Sequence, residues 1–296
     1  MRLFRSASLL CLLLPLTTLP ATAAESDLPD SVLARVDGAE ITRGEVERLI
    51  ASSPVSGIDL ATPGGKRTLR ELTTALIQRR LLEEEAEASG LTADPAYRKA
   101  ITDFERGVAK DPHRDDLVAE YRRTKLVVLQ RQRLEVRFRP TEAEIRGYFE
   151  AHRDRYDVPE EANVQQIVVA TEAEAQRLAK EARGGADFSG LAVQHSTDPF
   201  VKRNFGMLGW VKRGEGFPAL DELVFTLKRK GEIGGPVQSP RGYHVVKLID
   251  HRDGRTVSFE EARKRVEADM VKERLNAHLL ELAKKAKITV NKAAFQ

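Results

Sequence analysis

Six histidines and one cysteine set the limits of the chemistry open to this chain. His113, His152, His195, His244, His251 and His278 are scattered, and no His-Glu-x-x-His string occurs, so a zinc site has no frame. His195 follows a short helical pattern with no partner at metal spacing and reads as structural or exposed. His152-Arg153-Asp154 has the letters of a kinase catalytic loop. It ends a helical pattern, with no Gly-rich loop or Asp-Phe-Gly nearby, so the match is coincidence. Cys11 lies in an apolar N-terminal run. If that run is removed, the mature chain has no thiol, which excludes disulfides, thiol catalysis and Cys-ligated zinc. His244, at the head of an apolar strand pattern, and Asp198, just before Pro199, remain. Each also has a plain structural reading, as a buried hydrogen-bonded histidine and as a turn-initiating aspartate.

The N-terminus bears on the compartment. Arg2 and Arg5 precede an apolar run from Leu9 to Leu19, and Ala21-Thr22-Ala23-Ala24 supplies small residues before Glu25, Ser26 and Asp27. This is the layout of a cleavable secretory signal over residues 1–24. A membrane-spanning helix needs about 20 apolar residues. The run is shorter and holds Pro15, so membrane association is expected only if the signal is uncleaved. No small residue stands just before Cys11, which argues against a lipoprotein. Dropping Arg2 and Arg5 lowers the formal charge of +3 by two, to +1. That balance gives no basic excess for nucleic acid. Charged residues make up 31% of the chain, and with a net charge near zero they describe solvated helices of mixed sign.

Three zones must position any site. From about Ser31 to Ile145 the pattern is mostly helical, after a hairpin over Val32–Ile41 turning at Asp37-Gly38. Thr42 with Glu45 and Thr141 with Glu144 read as capping boxes. Helices are expected over about Lys66–Ala88, from Pro95, and over about Asp115–Glu135. From Glu161 to Asp250, strands at Val164–Val169, Leu208–Val211, from Pro236 and at Tyr243–Ile249 are joined by helical stretches, so this zone is α+β around a small sheet. A third capping box, Ser258 with Glu261, opens a long helix with apolar positions at Val266, Met270, Leu275, Leu279, Leu280 and Leu282. The terminal strand Lys287–Val290 needs a partner. The Val32–Val36 strand is the natural one, which would make the outer zones one discontinuous domain with the middle zone inserted.

Within the middle zone stand Gly185-Ala-Asp187-Phe188, Ser196-Thr-Asp198-Pro199, Leu208-Gly209-Trp210, Gly231-Glu-Ile-Gly-Gly-Pro236-Val237 and Gly242-Tyr-His244-Val-Val-Lys-Leu248. In this order and spacing, over about 90 residues, they resemble a parvulin-type (PpiC-type) peptidyl-prolyl cis-trans isomerase domain. The whole chain looks like exported foldases and chaperones of the SurA, PrsA and PpiD type. The resemblance implies an α+β fold with a small antiparallel-rich sheet and surrounding helices, inserted in a mainly helical chaperone-like domain. The implied divisions are a signal at 1–24, a helical domain at 25–155, a parvulin-like domain at 156–252, and a C-terminal helix and strand at 253–296 returning to the first domain.

The implied reaction makes and breaks no bond to the substrate. It rotates an amide whose barrier is about 18–20 kcal/mol, by gripping the proline ring in an apolar pocket and favouring the twisted amide. No cofactor and no metal are implied. Carried over position by position, the family's second histidine is His244, its acidic position is Asp198, and the place of its first histidine is taken by Gln166. Its pocket methionine aligns with Gly216 or Phe217 and its pocket phenylalanine with Leu220. The candidate substrate-binding residues are Leu208, Phe217, Leu220 and Phe225, each of which also has a plain core reading. Trp210 reads as packing or as the pocket rim. Arg241 stands where a small polar residue is common. The implied partners are unfolded or newly exported polypeptides in the periplasm or another extracytoplasmic space. Because Gln166 replaces a histidine, two functions stay open: a prolyl isomerase and foldase, or a catalytically weak parvulin-like chaperone that binds unfolded chains.

Overall fold

The computed structural model describes residues 24–26, 28–52 and 58–295. The expected signal segment lies outside them except for Ala24. Strands β1 (Ala24–Ser26), β2 (Val32–Val36) and β3 (Ala39–Thr42) come first. β2 and β3 form the hairpin, with Asp37 and Gly38 both at positive φ in its turn, as a two-residue loop of the primed type requires. Helix α1 (Arg43–Ser52) begins at the Thr42–Glu45 box, where each residue's backbone N–H donates to the other's side chain, at 2.8 and 3.3 Å. Next come α2 (Pro63–Ala88), capped by Thr62, α3 (Pro95–Gly107), capped by Asp94, and α4 (Arg114–Arg137). α5 (Glu142–Ala151) opens with the Thr141–Glu144 box.

The middle of the chain runs through β4 (Glu161–Val169), α6 (Glu172–Arg183), α7 (Phe188–His195), the single turn α8 (Val201–Asn204), β5 (Met207–Lys212), α9 (Pro218–Thr226), β6 (Ile233–Ser239) and β7 (Gly242–Arg252). α10 (Phe259–Lys285), opened by the Ser258–Glu261 box, and β8 (Ile288–Asn291) follow. No helix among the described residues is long and apolar enough to cross a membrane.

These elements gather into two compact units. One joins the described residues up to Ile145 with those from Lys264 onward, and the other is Arg146–Arg263. The first unit's sheet has the order β1-β8-β2-β3. β8 pairs antiparallel with β2, setting Val290 opposite Ala34 and Ile288 opposite Val36, and β1 lies parallel to β8. Leu33, Val36, Ile41 and Ile288 pack on Leu69, Leu76 and Ile77 of α2. A fully buried aliphatic side chain of this kind contributes about 1.5–3 kcal/mol. Leu275 and Leu279 of α10 pack with Leu82, Val127 and Leu134. Leu280, expected on the same apolar stripe, is exposed, because one residue of helix turns it about 100° away from Leu279.

The second unit is α+β with a small antiparallel sheet, order β5-β4-β7-β6. Ile167, Val169 and Val245 point to one face, under Leu178 of α6 and Phe188 and Leu191 of α7. Ala162, Val164, Val246 and Leu248 point to the other, where Val224 and Phe225 of α9 cover them. Strand alternation places Gln166, Val168 and His244 on this second face, beyond the cluster that α9 covers.

Candidate functional site

β4 and β7 set Val168 opposite His244 and Gln166 opposite Val246, so Gln166 and His244 are diagonal neighbours on one face. His244 Nδ1 lies 3.0 Å from Gln166 Oε1. Gln166 Nε2 donates to Asp198 Oδ2 at 3.2 Å. On the imidazole's far side, Nε2 lies 2.6 Å from Ser239 Oγ, which accepts the backbone N–H of Arg241 at 3.0 Å. The donors then run in one direction. An ionised Asp198 only accepts, so Gln166 turns its NH2 toward it and its carbonyl toward His244. The imidazole therefore donates from Nδ1 and accepts the Ser239 hydroxyl at Nε2, a tautomer assigned from this network.

His244 and Gln166 are almost fully buried, at 1% and 4% exposure. Burial, with the Arg241 charge acting in the same direction, holds the imidazole below its ordinary 6.5 against the opposing pull of Asp198. His244 is thus a neutral, oriented group near pH 7.

The loop after α7 delivers Asp198. Ser196 Oγ accepts the Val168 N–H at 3.0 Å, and the Thr197 N–H donates to the Val168 carbonyl at 2.7 Å. Asp198 Oδ1 accepts the N–H of Phe200 at 2.9 Å. Turn former and network member are therefore the same residue, through different oxygens. Gly206 then crosses β4 so closely that a Cβ there would stand 2.5 Å from the Gln166 carbonyl oxygen, and its φ is +80°; only glycine fits. Buried Gln165, turned to the opposite face, fixes this crossing by donating to Ser189 Oγ and the Phe205 carbonyl.

The apolar candidates divide. Leu208 and Phe217 are exposed, at 43% and 38%. Leu220 is partly buried against the Val224–Phe225 cluster. Phe225 is buried, and the Arg213 guanidinium lies 4.6 Å from its ring centre. It packs in the core of the sheet's second face, in keeping with its plain core reading. The cause is its place in α9: it sits on the face turned to Val164 and Leu248. Phe200 and Phe205, flanking α8, are exposed and were not among the candidates.

Residues 140–264 match the model of the PPIC-type PPIASE domain. The chain carries a PpiC-type prolyl isomerase domain. Relatives along most of the chain include a putative peptidyl-prolyl cis-trans isomerase of Helicobacter pylori, 26% identical over 92% of this chain and 89% of that protein. Another is the foldase protein PrsA of Caldanaerobacter subterraneus, 29% identical over 83% of this chain and 81% of its own length. A solved structure of a SurA-like chaperone from Campylobacter jejuni aligns over 86% of this chain and 96% of that one, with 24% identity and a TM-score of 0.42.

Two features of the PpiC-type domain escaped the sequence reading. Ser239 closes the network, and its only sequence signal is a hydroxyl placed just before the Pro240-Arg241-Gly242 turn. The second feature is a charged cluster at the opposite end of the β4–β7 ladder. Glu160 accepts from Arg213 at 2.6 Å and Lys228 at 2.9 Å, and His251 Nε2 lies 2.7 Å from it. Partial burial works against its ionisation, but these hydrogen bonds and the Arg213 charge lower its pKa to about 2. Glu160, His251 and Asp253 stand close enough to share an ion. Arg213 and Lys228 already neutralise Glu160 and would repel a cation, so the cluster reads as an ion-pair clasp. Trp210 is exposed, with the Arg252 guanidinium 3.7 Å from its ring centre.

Proposed function

We propose that this chain is an extracytoplasmic foldase that turns prolyl bonds in unfolded or newly exported polypeptides. The observation that carries the reading is the directed hydrogen-bonded chain from Asp198 through Gln166 and the neutral His244 to Ser239, in the same small unit as exposed Leu208 and Phe217. Twisting an amide needs no nucleophile and no metal. It needs apolar side chains to hold the proline ring and fixed dipoles that favour the twisted form. Leu208, Phe217 and Leu220 supply the first. The His244 tautomer, locked from both sides, supplies part of the second. The secretory layout of residues 1–24 and the PrsA name of one relative support the extracytoplasmic setting.

A second reading is favoured by Gln166, whose amide cannot exchange a proton with His244 as a histidine would, and by the exposed rings of Phe200 and Phe205. On that reading the domain holds unfolded segments with little turnover. A protease-coupled prolyl-peptide assay on the full chain separates the two. Turnover that falls at least about ten-fold in His244→Ala, or about 1.4 kcal/mol of barrier, supports the foldase. Absence of turnover with client aggregation still suppressed would leave the chaperone.

A further inference from the structure

We propose that Arg241, Lys202 and Arg203 form a carboxylate-binding rim that selects client segments with Asp or Glu beside the prolyl bond. The inference rests on the reading of this site as a polypeptide-binding one and adds a substrate class to it.

Elsewhere in the unit, exposed cations mostly have acidic partners. Arg177 pairs with Glu181, Lys228 with Glu160, Lys230 with Asp250, Arg252 with Glu161 and Arg255 with Glu261. Arg241, Lys202 and Arg203 are equally exposed, yet among the described residues none has a carboxylate within ion-pair distance. They also sit on the two segments that hold the buried network. The Arg241 backbone N–H is fixed on Ser239 Oγ, the atom that also binds His244. Lys202 and Arg203 lie on α8, and the residue before that turn, Phe200, hangs from Asp198 Oδ1.

The one acidic side chain in the network, Asp198, bonds Gln166 and the Phe200 N–H and makes no ion pair with any of the three cations. Unpaired cations on both segments, beside the exposed rings of Phe200 and Phe205, suit an acidic and apolar segment. The simpler alternative is that the three are only solvated for solubility, in which case peptide charge would not matter.

The test uses the full chain and fluorescein-labelled peptides Ala-Xaa-Pro-Phe with Xaa as Glu, Gln or Lys, read by anisotropy. An exposed ion pair supports a preference of about five-fold for Glu over Gln, fading between about 50 and 500 mM salt. Arg241→Ala should reduce that preference, and the triple change Arg241→Glu, Lys202→Glu, Arg203→Glu should turn it toward Lys. Equal affinity for Glu and Gln in the unaltered chain, or a Glu preference that survives the triple change, overturns the rim while leaving the peptide site standing. If none of the peptides binds, the rim and the proposed function fall together.

Discussion

Two histidine-centred clusters occupy opposite ends of the same β4–β7 ladder, and they are built on different principles. At one end, His251 faces Ala162 across the strands and shares Glu160 with Arg213 and Lys228. Here full charges meet at the half-exposed margin of the sheet. At the other end, His244 faces Val168 and is held by an amide and a hydroxyl, with its charge suppressed by burial. The first arrangement pins four segments together and leaves no capacity over. The second keeps a neutral, oriented imidazole inside a buried polar chain that ends at Asp198 on one side and Ser239 on the other. The comparison teaches that histidine burial and bonding alone do not mark a site. What sets the second cluster apart is a buried histidine held by an amide and a hydroxyl, with no ion-pair partner among the described residues.

The largest test concerns the scaffold under the charged cluster. Phe225→Ala removes a buried ring from the second face and the surface on which Arg213 lies. It should cost about 3–5 kcal/mol of stability, read in urea by the fluorescence of Trp210, the chain's single tryptophan. A cost below 1 kcal/mol would mean that the ring is not core. Gln166→Ala strikes the neutral cluster and leaves the His244 Nδ1–H without its acceptor. The expected loss is about 1–3 kcal/mol, together with reduced turnover or peptide binding.

Acid should take the two clusters in sequence. His244 has a lowered pKa in the fold, so between the ordinary 6.5 and its folded value only the unfolded chain is protonated. Stability from this group is complete above 6.5 and is lost as pH falls through the folded pKa. Glu160, lowered to about 2 from an ordinary 4.5, contributes in full above 4.5 and loses its contribution as pH falls through 2. The melting midpoint against pH should therefore show an upper limb flattened by His244→Gln and a lower limb flattened by Glu160→Gln. If the variants exchange limbs, the contrast fails. The smallest expected effect is Lys228→Ala, about 0.2–1 kcal/mol, since that pair is exposed on the lysine side.

Local rules made much of the fold legible. Thr42–Glu45, Thr141–Glu144 and Ser258–Glu261 announced their helices because a capping box involves only neighbours. The terminal strand's need for a partner pointed to β2, and β8 lies there, opposite Ala34 and Val36. The site was harder to read. Gln166, Asp198 and His244 entered through family resemblance, since 32 and 78 residues separate Gln166 from its two partners. Ser239 could not be found from its surroundings, because its role depends on how the β6–β7 turn aims a hydroxyl. Phe225 kept both a pocket and a core reading because a nine-residue helix shows its apolar side chains without saying which side meets the sheet. The parallel pairing of β1 with β8 had no local signal at all.

The pairing of β2 with β8 also has a consequence in time. Val36 and Ile288 are neighbours in the sheet but are made far apart during synthesis. When the hairpin emerges from a ribosome or a translocation channel, the strand that must lie beside it does not yet exist. Arg146–Arg263, whose sheet is closed by strands within that stretch, can be complete before then. The order of maturation is therefore expected to run from the inserted unit outward. Until β8 arrives, the β2 edge stands open as a place where a misplaced strand could bind.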